Sequence, residues 1–239
     1  MAEAAALPDT GAASRRKGRD AAEIAVAYGL ILLVIWTPRP WQRFLWVIAA
    51  ASVVVITCIS FDGVKAMGLR GTNFVRSLWI VGAALLLAVA AVAVAARLGT
   101  LRMPNGVLAF IATYCAYSVW SGVQQFLLQC FFLLRFLRLI PHQKMAALTA
   151  AALFATAHLP NPILVPVTFL WGFAACLLFL RYRNLYPLAI AHAILGITIA
   201  VTVPGRVDHN MRVGLGYLTY GHRRHADRPY LLTQPSPKP

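Results

Sequence analysis

Seven apolar runs dominate this chain, near residues 21–36, 44–61, 77–96, 106–138, 145–158, 163–180 and 185–203. A membrane span needs about 20 apolar residues, and the last two runs come close to that length. The first is short and can extend or tilt, and the run at 145–158 stops before Pro160, which ends or kinks a helix. The run at 106–138 would reach roughly 50 Å as one helix. Either it is a single long helix that protrudes near Arg135 and Arg138, or Ser121-Gly122 breaks it in two. The predicted fold is therefore all-α, a polytopic transmembrane helix bundle of seven or eight spans.

The charges agree with this. Only 12% of the 239 residues are charged and 60% are hydrophobic, whereas a soluble domain carries about 25% charged residues. The 22 Lys and Arg outnumber the 7 Asp and Glu, and they lie mainly in short gaps between apolar runs. That placement suits helix-end anchoring to lipid head groups and gives no face for nucleic acid. Residues 1–20 read as a disordered basic tail before a retained first helix, 21–205 as the bundle, and 206–239 as a basic polar tail. For the stretch from His209 to Tyr217 two readings stand, a surface tail or a cap over one mouth of the bundle. The expected location is the cell membrane, as a multi-pass protein of a bacterial inner membrane. Cys58, Cys115, Cys130 and Cys176 sit singly in apolar runs and read as small hydrophobes.

No carboxylate occurs between Asp62 and Asp208. Chemistry that needs one inside the bundle must bring it from an end. Other polar groups do occur there, where each is costly unless paired. Tyr114, Ser118, Ser121, Gln125 and Gln129 are spaced as one helix face, with Gln124 beside them. Interhelical glue and the wall of an active site are both open readings of this stripe. His158 and His192 fall on two further helices. Two histidines and a glutamine pair on three helices read as a site.

These residues resemble the CPBP family of intramembrane proteases, also called the CAAX-protease or Abi family. Its motifs, in order, are Glu-Glu-x-x-x-Arg, Phe-x-x-x-His and His-x-x-x-Asn. Here the second is intact as Phe154 to His158. The third keeps His192 but has Gly196 for the asparagine. The first survives by position only, with Gln124 and Gln125 for the glutamates and Gln129 for the arginine. The Gly68-Leu69-Arg70 turn is also similar, and the resemblance spans roughly 60–205.

The resemblance implies an intramembrane endopeptidase acting on membrane-associated or prenylated peptides. A glutamate and histidines would activate water, and the asparagine with a histidine would hold the oxyanion. The candidate catalytic residues are thus Gln124, Gln125, His158 and His192, with Gln129 and Gly196 at altered positions. Loss of a general base costs about 10²–10⁴ in rate, and loss of one oxyanion donor about 10²–10³. Weak or divergent hydrolysis is expected, and restoring Glu at 124 and 125, with Arg at 129 and Asn at 196, is expected to raise it. The alternative is an inactive relative that binds a lipid, a hydrophobic peptide or a partner membrane protein. Two histidines with amides make a poor zinc donor set, so no metal or other cofactor is expected. The expected partners are membrane lipids and a hydrophobic or prenylated peptide.

Overall fold

The computed structural model describes residues 10–103 and 106–220. Among them every regular element is helical. The order is α1 Thr10–Trp36, α2 Arg39–Ile59, α3 Phe74–Arg97, α4 Val107–Leu139, α5 Gln143–Thr156, α6 Leu164–Tyr182, α7 Tyr186–Thr202, and two short helices, α8 Gly205–Asp208 and α9 Gly214–Leu218.

Four of these, α2, α3, α4 and α6, are long and apolar enough to cross a membrane. Their outward faces are apolar too, with Leu86, Val89, Leu108, Val119 and Leu170 largely exposed. Water would penalise so much uncovered hydrocarbon, and lipid would not. Prolines mark the helix starts, with Pro40 in the first turn of α2 and Pro187 in that of α7. A proline there loses nothing, because the first-turn N–H groups have no partner inside the helix.

α7 packs between α3 and α4, α5 pairs with α6, and α1 lies against α2 and the end of α4. Gly68 fixes one corner of this arrangement. Its φ is +65°, and a Cβ there would meet Phe179 at 2.7 Å and the Arg183 backbone at 3.0 Å. Its carbonyl accepts from Leu185 N at 3.0 Å, which ties the turn before α3 to the start of α7.

The long run at 106–138 is one continuous helix, unbroken at Ser121-Gly122. From Phe126 to Leu133 it widens into a π-helix, a form that recurs at functional sites. All six residues from Leu128 to Leu133 are buried there, so this part of α4 is enclosed on every side.

Its far end does not protrude as a bare cationic tip. Arg135 is 1% exposed, and its guanidinium meets Glu23 at 2.7 Å, donates to Phe131 O at 2.9 Å and lies 3.7 Å over the Phe131 ring. Arg138 takes both oxygens of Asp20 at 2.7 Å and one of Asp62 at 2.7 Å. Ser60 Oγ donates to Glu23 as well. The boundary expected for the N-terminal tail also moves: residues 10–20 belong to α1, whose Asp20 reaches Arg138. Residues 1–9 lie outside the described residues.

The expected C-terminal tail also differs in part. Residues 221–239 lie outside the described residues, but 205–220 fold back on the bundle. Buried Asn161 holds them: its Nδ2 donates to Asp208 O at 2.7 Å and Arg212 O at 3.0 Å, while Oδ1 accepts from Ile163 N and Leu164 N. Gly214 N donates to Leu159 O at 2.7 Å, and Arg102 donates to Asn210 at 2.6 Å. His209, Asn210 and Met211 are all left-handed, with φ of 50°, 56° and 58°. Left-handed helical geometry costs about 1–2 kcal/mol per residue, so this hook needs the Asn161 and Arg102 anchors to hold it.

Candidate functional site

A cavity of about 510 Å³ opens where α4, α5, α6 and α7 meet, with α1 and α3 completing its wall through Tyr28, Ile31, Ile35, Leu87 and Ala91. Gln124, His158 and His192 all line it. Most of the remaining wall is apolar, including Trp120, Leu128, Phe132, Leu153 and Trp171. Met211 and Val213 of the C-terminal hook also reach it.

His158 ends the α5 region with a defined tautomer. Its Nδ1 lies 2.8 Å from the Phe154 carbonyl oxygen. That oxygen can only accept, so Nδ1 carries the proton and Nε2 holds the lone pair in the neutral ring. Phe154 stands edge-on to both histidines, with ring centroids 4.9 Å from His158 and 5.9 Å from His192. The intact Phe-x-x-x-His spacing therefore does two jobs. The backbone at 154 orients the His158 ring, and the Phe154 side chain packs between the two imidazoles. His192 lies 6.3 Å from the Trp171 ring. His192 Nδ1 and Trp171 Nε1 are both buried with no partner among the described residues, and both residues belong to the cavity wall.

The polar stripe of α4 divides. Ser118 Oγ donates to Tyr114 O at 2.7 Å and Ser121 Oγ to Tyr117 O at 3.0 Å, so each serine bonds its own helix. Gln125 and Gln129 are fully buried, and neither amide has a partner among the described residues. Neither residue is part of the cavity wall. The wall takes instead the face through Tyr117, Trp120, Gln124, Leu127 and Leu128. Gly196 joins it one turn after His192. Tyr117 and Trp171 escaped the sequence reading. Tyr117 precedes Gln124 by seven residues, the spacing of one helix face, so a face drawn through Gln124 instead of Gln125 would have found it.

No carboxylate belongs to this wall. Asp20, Glu23 and Asp62 are committed to Arg135 and Arg138, and Asp208 belongs to the C-terminal hook, where it accepts from Asn210 N. Among the described residues no group of three or more His, Cys, Asp or Glu side chains could hold a metal ion.

A helical membrane protein with two histidines and an amide facing one apolar internal cavity is the class that fold and site define. Residues 122–198 match the family model described as Type II CAAX prenyl endopeptidase Rce1-like. That segment is about a third of the chain and covers the positions of all three motifs, of which only Phe154 to His158 is intact, and the match supports the resemblance to the CAAX-protease family. Neither a curated protein nor a solved structure gives a significant match.

Proposed function

We propose that this chain is a multi-pass protein of the cell membrane that admits a membrane-associated or prenylated peptide into the cavity and hydrolyses it slowly, with His158 as base. The observation that supports this reading is the His158 tautomer, in which Nδ1–H is held by Phe154 O at 2.8 Å and Nε2 is left as the basic nitrogen. Gln124 cannot accept a proton at neutral pH, but its amide can orient water or the substrate carbonyl. A volume of about 510 Å³ lies in the range that takes a drug-sized apolar group, about 300–1,000 Å³. The wall of Leu, Ile, Phe and Trp side chains suits a lipid chain.

The test is cleavage of a fluorogenic farnesylated peptide by the purified chain in phospholipid nanodiscs, compared with His158→Ala. Slow cleavage that falls to background in His158→Ala supports the reading. Equal rates for the two proteins exclude His158 as the base.

A second reading, binding without turnover, is favoured by one observation: the wall has no carboxylate. It gains if the farnesylated peptide binds saturably and no cleavage follows.

A further inference from the structure

Gly196 carries no side chain one turn beyond His192, and the phenol of Tyr117 fills the space. A Cβ added at Gly196 would lie 2.5 Å from Tyr117 Cζ and 2.7 Å from Cε1, with the hydroxyl oxygen closer still. Real Cβ contacts are not that short, so a side chain at 196 would displace the phenol from its present position. Tyr117 comes from α4, on the same face as Gln124, and it lines the same cavity as His158 and His192. The hydroxyl groups of the wall have partners within the protein, and that of Tyr117 has the Ser121 side chain, one turn on along α4. Thr168 donates to Leu164 O at 2.6 Å, Thr198 to Ile194 O and Thr202 to Thr198 O at 2.7 Å, and Tyr28 pairs with Thr156 at 2.7 Å.

We infer that the Tyr117 hydroxyl is a catalytic hydrogen-bond donor, placed against Gly196 to hold the substrate oxygen as it becomes an oxyanion. This assignment rests on the hydrolytic reading of the cavity. Water oxygen adds to the peptide carbonyl carbon, one water proton passes to the histidine base, and the C=O π pair moves onto oxygen, where Tyr117 O–H donates to it. Collapse re-forms the C=O bond and breaks the C–N bond. The amine leaves with the proton returned by the histidine. Tyr117 keeps its own proton throughout.

The same geometry changes one expectation. A lone Gly196→Asn does not simply restore a donor, because the new side chain meets the phenol, and it should lower activity. The exchange variant Tyr117→Ala with Gly196→Asn replaces one donor by another in the same space.

The experiment measures kcat, KM and melting temperature for the full chain in nanodiscs with the farnesylated fluorogenic peptide. Wild type is compared with Tyr117→Phe, Gly196→Asn and the exchange variant. Tyr117→Phe should keep the wild-type melting temperature and KM and lose about 10²–10³ in kcat, as removal of one oxyanion donor does. The exchange variant should exceed Gly196→Asn. Unchanged kcat in Tyr117→Phe overturns the assignment and leaves hydrolysis by the cavity standing. If Tyr117→Phe unfolds, an exchange variant no better than Gly196→Asn overturns it. Absence of any wild-type cleavage overturns both the hydrolytic reading and this assignment.

Discussion

Gln124 and Gln125 are neighbours in sequence and occupy different surroundings: Gln124 lines the cavity with His158 and His192, while Gln125 is fully buried outside its wall, both amide atoms without a partner among the described residues. Consecutive helical residues point about a quarter-turn apart, so one pair of positions serves two ends. The first amide can meet a substrate, and the second sits in the packing between helices.

This division makes single substitutions more informative than the pair. Gln124→Glu should raise peptide hydrolysis by about 10²-fold if a carboxylate base is the missing part. Gln125→Glu should give no such gain and should lower the melting temperature, because the amide it replaces is buried with no partner among the described residues. Gln125→Leu should leave hydrolysis unchanged and stabilise the fold by up to about 1–3 kcal/mol, since it removes an unsatisfied amide. Initial rates and thermal unfolding of the three variants check this, and equal gains from Gln124→Glu and Gln125→Glu would refute the division.

The cluster at the end of α4 should act as a latch for α1. Arg135→Ala leaves Glu23 without its closest ion partner and should cost about 3–5 kcal/mol, as breaking a buried pair does. The double variant Glu23→Gln with Arg135→Met should recover part of that loss. Thermal unfolding in detergent measures both. A double variant less stable than Arg135→Ala would argue against the latch.

Much of the fold was legible because hydrocarbon cannot be hidden. The apolar runs located all seven long helices, and the run at 106–138 fixed the extent of α4, although not its continuity. The ends were less legible. Asp20 and Glu23 look like surface charge in the sequence, and nothing local shows that Arg138 and Arg135 reach them from more than a hundred residues away. Of the residues singled out by type and spacing, His158, His192, Gln124 and Gly196 line the cavity, and Gln125 and Gln129 do not. Tyr117 was not singled out, since an aromatic residue on an apolar helix gives no sign until Gly196 is seen against it. The distinction between Gln124 and Gln125 depends on the rotation of α4 relative to α7, which side-chain type does not encode.

The C-terminal hook should respond to pH. Asp208 lies outside the spanning helices, and burial raises its carboxyl above the ordinary aspartate range, opposed by the Asn210 N–H and Arg102. A folded-state pKa above the unfolded one means that the folded hook binds protons more readily. Its stability is then fullest below the ordinary aspartate value of about 3.9. It declines as pH rises from that value through the raised one. Asp208→Asn keeps an acceptor for Asn210 N and removes the charge, so it should flatten this dependence. Hydrogen exchange at Met211 to Gly214, followed against pH, measures it, and identical profiles for the two proteins would remove Asp208 from the account.

The central claim is that the cavity lined by Gln124, His158 and His192 holds a lipophilic peptide. A farnesylated peptide with a photoreactive group on the lipid chain, irradiated with the full chain in nanodiscs and mapped by mass spectrometry, tests it most directly. The account predicts labelling of cavity residues such as Trp120, Leu128 and Trp171, suppressed by excess unlabelled farnesylated peptide. Labelling confined to outward-facing residues such as Leu86, Val89 and Leu108, without competition, would contradict it.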